Sequence, residues 1–357
     1  MDINGLKCVP ELLCFADGTP VNDPAQWPAR RAELLEILRR EEFGTAPAAP
    51  AAVKGEVEST ESVCCSGHAV LERIHISFET DNGPFSFPVN FFLPKADKPV
   101  PLFVLINFRP DVYDKYYPAE EITDNGFALA VIHYNDVTSD DGDFTNGLAA
   151  MYDRSKYSWG KIGMWAFAAS RTLDYLLTRP EIDAANAAVI GHSRLGKTAL
   201  WCAAQDERFR FGISNDSGCA GASYERGKVE GNEMVKQITT NFPYWFCEKY
   251  KEWVDRADEM PFDQHFLLAA IAPRYVCVGS AQEDFWAAPV HEQASCIGAS
   301  PAWELHGRPG YVGKREPAVP GDDFAAGDIG YHLRSGIHFL GRGDWLSYMA
   351  YIKKHLA

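Results

Sequence analysis

Val189-Ile190-Gly191-His192-Ser193-Arg194-Leu195-Gly196-Lys197 is the stretch on which the reading of this chain turns. Two apolar β-branched residues run into a glycine and a serine. Thr198-Ala199-Leu200-Trp201-Cys202-Ala203-Ala204 behind them has helical character. The order is strand, tight turn, helix, with a hydroxyl at the apex. Gly191 lets the chain turn sharply, because it brings no Cβ to the bend. A helix starting just after Ser193 would aim unpaired backbone N–H groups at the place where an oxyanion forms. The spacing departs from G-x-S-x-G, since the second glycine, Gly196, comes one position late. Arg194 and Lys197 flank it, and two cations so close to a nucleophile point to an anionic substrate or a strongly charged oxyanion hole. The same turn could serve a plain β–α connection with Ser193 as helix N-cap, so the rest of the chain must arbitrate.

Working outward, residues 1–25 carry Pro10, Gly18, Pro20 and Pro24 and read as an extended arm. Trp27 to Phe43 reads as an amphipathic helix with Pro28 in its first turn and a Leu34/Leu35/Leu38 stripe. Ala46 to Ala52 is an Ala/Pro linker. Residues 53–93 alternate as strands and suggest an antiparallel meander feeding a sheet. Beyond residue 100 the pattern changes to buried strands alternating with helices. The strands are 102–106, 128–132, 187–190, 211–214 and 275–279, with 302–305 as a last strand or a short piece near it. The helices are Gly163–Leu177 and Asp344–His355. This pattern predicts a three-layer α/β-hydrolase sandwich, with a mainly parallel sheet covered by helices on both faces. One domain is expected over 1–357, with 1–52 as an N-terminal arm and helix packed on it.

Composition narrows the function. Apolar residues make up 46 % of the 357, enough for a large core, and the net charge is −15 with no basic tract, which excludes nucleic acid as a partner. No apolar run approaches the ~18 residues that a membrane span needs. Met1-Asp2-Ile3-Asn4-Gly5 has neither a basic nor an apolar leader region, so the expectation is a cytoplasmic protein or a trimmed secreted one. The nine cysteines show neither zinc-ligand spacing nor a disulfide framework, and no metal or other cofactor is expected. Cys202 and Cys277 read as core residues. Protein partners are not legible.

If Ser193 is a nucleophile, its acid and base should follow on loops after later strands. The strand 275–279 runs into Ser280-Ala281-Gln282-Glu283-Asp284, which makes Asp284 the preferred acid. Asp216, in Asn215-Asp216-Ser217 after the strand that follows the nucleophile helix, is an alternative. Either aspartate could simply cap its loop. His338, ahead of the terminal helix, is the preferred base, with His332 in reserve.

Several segments are similar, in order, to the bacterial branch of the glucuronoyl esterases, carbohydrate esterase family 15. They are Gly191 to Trp201 with Asp206-Glu207-Arg208-Phe209, Asn241-Phe242-Pro243-Tyr244-Trp245-Phe246, and Met260-Pro261-Phe262-Asp263-Gln264-His265. Further matches are Ile271-Ala272-Pro273-Arg274, Asp284-Phe285-Trp286-Ala287, Gly330-Tyr331-His332 with His338 and Asp344-Trp345, and Trp27-Pro28-Ala29-Arg30-Arg31 with Gly44. The resemblance covers nearly the whole chain. It implies cleavage of the ester between 4-O-methyl-glucuronic acid on xylan and a lignin alcohol, so the expected partner is a glucuronoxylan-derived uronate ester. It also implies Ser193 as nucleophile, His338 as base, Arg194 in the oxyanion hole, Lys197 on sugar hydroxyls, Trp286 against the sugar ring and, on looser spacing, Glu233 as a sugar ligand. Asp216 stands where fungal members carry an acidic triad residue, and Asp284 where many bacterial members do. The chain has both, which leaves the acid open. Two rival readings remain: a carbohydrate acetyl esterase on the same triad, and a non-catalytic sugar-binding relative.

Overall fold

The computed structural model describes residues 9–356. The leader reading at Met1–Gly5 and the thiol of Cys8 lie outside the described residues. Ten strands form one sheet: β1 (Val53–Cys64), β2 (Ala69–Thr80), β3 (Gly83–Pro94), β4 (Val100–Asn107), β5 (Ala128–His133), β6 (Ile182–His192), β7 (Phe209–Asn215), β8 (Tyr275–Ala281), β9 (Asp323–Phe324) and β10 (Ile329–Arg334). Their spatial order is β1-β2-β3-β5-β4-β6-β7-β8-β10-β9. The meander β1–β3 is antiparallel and joins β5 antiparallel, whereas β5, β4, β6, β7, β8 and β10 run parallel.

The longer helices are α1 (Trp27–Leu38), α2 (Lys161–Leu176), α3 (Arg194–Gln205), α4 (Pro289–Ala299) and α5 (Arg342–Lys354). Side chains alternate across each parallel strand, and each face of the sheet has its own core. Leu102, Val104 and Ile106 of β4 join Ala187 and Val189 of β6 under α1, α2 and α3. Phe103, Leu105, Ala188 and Ile190 point the other way, under Trp345, Tyr348 and Ile352 of α5. Two apolar faces on every central strand explain why these segments read as continuous apolar runs rather than alternating ones. The chain has the α/β-hydrolase architecture expected.

Two local expectations change. Residues 302–305 do not form a strand: Pro301–Glu304 is a short helix with Pro301 in its first position, a placement where the missing N–H costs nothing. Trp303 is buried there and donates its indole N–H to Arg274 O at 2.7 Å. The segment Trp27–Phe43 begins as α1 and finishes in a π-helical turn over Arg39–Phe43 that ends at Gly44. The eight cysteines among the described residues are free thiols, and Cys202 and Cys277 are core residues as expected.

Candidate active site

β6 delivers His192 and Ser193 to the C-terminal edge of the sheet, between the ends of β4 and β7. Ser193 adopts φ 57°, ψ −128°, a conformation that side chains rarely take. A Cβ on Gly191 would lie 2.0 Å from Leu195 O, so the turn closes only over a glycine. The N–H of Ser193 is satisfied by Asn215 O at 2.9 Å, and α3 starts at Arg194; Gly196 N and Lys197 N turn back to Ser193 O at 2.8 and 3.2 Å, which leaves the N–H groups of Arg194 and Leu195 without intrahelical acceptors.

The loop after β8 and the segment after β10 bring Asp284 and His338 together. His338 Nδ1 lies 2.5 Å from Asp284 Oδ2, with the carboxylate buried and the imidazole partly exposed. Asp284 Oδ1 also accepts from Ala287 N at 3.3 Å. Asp216 is close by, but its oxygens are committed elsewhere: Oδ1 to Ala281 N at 2.7 Å, and Oδ2 to Arg334 Nη2 at 3.2 Å and Phe339 N at 3.4 Å. Burial, and then Glu292 and Asp284 nearby, push the Asp216 carboxyl well above its ordinary value. The reserve base His332 is buried behind the sheet edge, bonded to Asp344 at 3.0 Å.

Asp216, Asp284 and His338 have ligand-type atoms within 4.8 Å of one another. Arg334 holds a fixed positive charge against that group, a setting unfavourable to a dication.

Neither cation beside Ser193 is free of a partner. Lys197 is buried and donates to Glu233 Oε2 at 3.0 Å and Ser217 O at 2.5 Å. Arg194 pairs through Nη1 with Asp140. The two cations read as a sign of an anionic substrate or a strongly charged oxyanion hole each have a carboxylate partner contributed by a distant segment. Loss of one partner of the buried Lys197–Glu233 pair would strand a charge at a cost of about 3–5 kcal/mol. The Ser217 loop is braced from beneath by the fully buried Glu292, which accepts from Ser280 Oγ (2.5 Å), Gly218 N (2.9 Å) and Ser217 Oγ (3.2 Å). Burial pushes its pKa up to about 7.

Ser193, Arg194 and His338 form the common wall of two cavities. One, of about 210 Å³, is lined by Lys197, Glu233, Phe242, Trp245 and Trp286. The other, of about 380 Å³, is lined by Phe108, Arg109, Lys115, Tyr116 and His192. Trp286 is 45 % exposed, so its ring is available at the rim of the first. Glu233 reaches this cavity despite its uncertain spacing because its backbone N–H is tied to Trp286 O at 2.8 Å.

His192 was not singled out by the sequence reading, although it stands inside the nucleophile motif. Its ring is buried 4.3 Å from that of His338, and its Nδ1 lies 2.7 Å from Asn215 Oδ1. Burial, and then the charge of His338, lower its pKa to about 3, so it stays neutral beside His338.

The model of the family described as glucuronyl esterase, fungi, matches residues 75–307. Carbohydrate esterase MZ0003, from an unknown prokaryotic organism, is 32 % identical over 397 residues, covering 98 % of this chain and 89 % of that protein. The chain belongs to the glucuronoyl esterases. A solved glucuronoyl esterase from Solibacter usitatus superposes with a TM-score of 0.89 at 32 % identity, covering 98 % of each chain. A 4-O-methyl-glucuronoyl methylesterase of Wolfiporia cocos is 27 % identical over 316 residues, covering 85 % of this chain and 74 % of that one. The site of this glucuronoyl esterase lies where its fold places loops, at the carboxyl ends of parallel strands.

Proposed function

We propose that the protein is a serine esterase that hydrolyses the ester between the carboxyl of (4-O-methyl-)glucuronic acid on xylan and an alcohol of lignin. The observation that carries this reading is the shared wall. Ser193 and the Asp284-bonded His338 border a cavity whose far side offers a buried Lys197–Glu233 pair and a Trp286 ring, polar and stacking groups suited to a sugar. The names borne by the relatives point the same way.

The chemistry runs as acyl transfer. Ser193 Oγ attacks the ester carbonyl while His338 accepts its proton, and Asp284 holds the Nδ1–H and stabilises the resulting imidazolium. The oxyanion lies against the first-turn N–H groups of α3 and the Arg194 guanidinium. Collapse expels the alcohol, which takes the proton from His338. Water, deprotonated by the same histidine, then releases the uronate and restores Ser193. Lys197 and Glu233 hold sugar hydroxyls, and Trp286 covers the ring.

Methyl and benzyl esters of 4-O-methyl-glucuronate test the proposal, with a ferulate ester and an acetylated xylan as controls. Glucuronate release should dominate, and Ser193→Ala should reduce it by at least ~10³-fold with the fold intact. Preferential deacetylation would transfer the site to an acetyl esterase. Uronate binding without turnover by the wild type would make it a non-catalytic relative.

A further inference from the structure

We propose that Asp140 is a positioning residue for the reaction: it fixes the Arg194 guanidinium against the oxyanion site. The proposal rests on the reading of Arg194 given above.

Arginine carries a long, flexible side chain, and a donor to a transient oxyanion is useful only if it is already in place. Among the described residues, the guanidinium makes one hydrogen bond to protein, from Nη1 to Asp140, and its buried Nε has no partner. Its flat face is supported by rings: Trp245 at 4.6 Å, Phe242 at 5.2 Å and Phe108 at 5.5 Å. Phe242 and Trp245 are themselves stacked at 3.8 Å and nearly parallel. Rings below allow the guanidinium to slide in their plane, and Asp140 sets where it stops.

Asp140 is well held for this task. Its other oxygen, Oδ1, accepts from Trp245 Nε1 at 2.7 Å, and its carbonyl accepts from Tyr244 OH at 2.8 Å. The aromatic run 242–245 therefore supports the guanidinium and clamps its counter-charge at once. The loop bearing Asp140 is pinned by the buried Lys161, whose Nζ donates to Asp143 O at 2.7 Å and Thr138 Oγ1 at 2.9 Å. The start of α2 grips the other partner, with Lys161 N to Tyr244 O at 3.0 Å and Ile162 N to Trp245 O at 3.2 Å. A Cβ on Gly160 would meet Trp245 O at 2.0 Å, so the two segments touch backbone to backbone.

A carboxylate that only offset the Arg194 charge would weaken the oxyanion hole, and its removal would raise kcat. A carboxylate that positions the guanidinium predicts the opposite sign. Asp140→Asn keeps an acceptor for Trp245 while removing the charge and the acceptor used by Arg194. With a methyl uronate ester, kcat should fall roughly tenfold and KM stay within about twofold, since an oxyanion donor acts in the transition state. Arg194→Ala should lower kcat roughly 10²-fold. In that background Asp140→Asn should change kcat by less than about twofold, because two residues acting as one unit are not additive.

An unchanged or raised kcat in Asp140→Asn overturns the proposal, as does an equal loss in both backgrounds, which would make Asp140 a mere structural support. If Arg194→Ala raises KM alone, the reading of Arg194 fails and the role of Asp140 with it. Trp245→Phe, which keeps the ring and removes the donor to Asp140, gives an independent arm should Asp140→Asn not fold. It should lower kcat severalfold in the wild type and not in Arg194→Ala, and equal losses overturn the proposal.

Discussion

Two loops at the same edge of the sheet each place a buried aspartate near one histidine, and they use it differently. After β8, Asp284 turns an oxygen to the His338 ring at 2.5 Å. After β7, Asp216, at φ 46°, faces the backbone of β8 and the side chain of Arg334. Arg334 in turn donates to Ile337 O and Phe339 O, on either side of His338. One carboxylate contacts the imidazole, and the other ties down the stretch of chain that carries it. Residue type, burial and position at a strand end are alike in the two. What separates them is which donors the backbone leaves within reach.

The comparison is most exposed to Asp284→Asn. Loss of the acid that orients the base should reduce kcat by roughly 10³-fold or more on uronate esters, measured with circular dichroism as a check on the fold. Asp216→Asn should lower kcat by less than about tenfold, since its links to Ala281 and Phe339 act on His338 at one remove. A larger loss at Asp216 than at Asp284 would exchange the two roles. The smallest effect is on stability. A carboxyl whose folded pKa is raised binds more protons in the folded chain than in the unfolded one. Stability therefore falls as pH rises through and beyond the ordinary value of 3.8. Urea melts between pH 4 and 8 should show that fall flattened most in Asp216→Asn and only partly in Asp284→Asn, which removes one of the neighbouring charges that raise the Asp216 carboxyl and leaves its burial.

What the sequence made legible was local or ordered. The Gly191–Ser193 turn, the alternation of strands and helices, and the succession Ser193, Asp284, His338 are patterns that one pass along the chain can find. Asp140 and Arg334 were missed because their roles exist only across the fold. Asp140 meets Arg194 from 54 positions upstream, with no spacing to announce it. For the same reason the carboxylate partners of Arg194 and Lys197 were not legible beside them in the sequence. Residues 302–305 were misread because a short apolar run fits strand and helix equally, and the deciding signal, Pro301 at a helix start, was passed over. His192 was in plain view, but its meaning depends on a ring placed 146 positions later.

The backbone at Ser193 has a consequence for how such a protein can change over time. Holding a non-glycine residue at φ 57°, ψ −128° costs about 1–3 kcal/mol. Glycine relieves most of this, while loosening the unfolded chain by up to about 1 kcal/mol. Ser193→Gly should thus melt higher than the wild type, by about 1 kcal/mol in stability, while releasing no uronate. Selection for robustness alone therefore favours losing the Ser193 side chain, and under the proposed function the serine persists only as long as an ester is worth cutting.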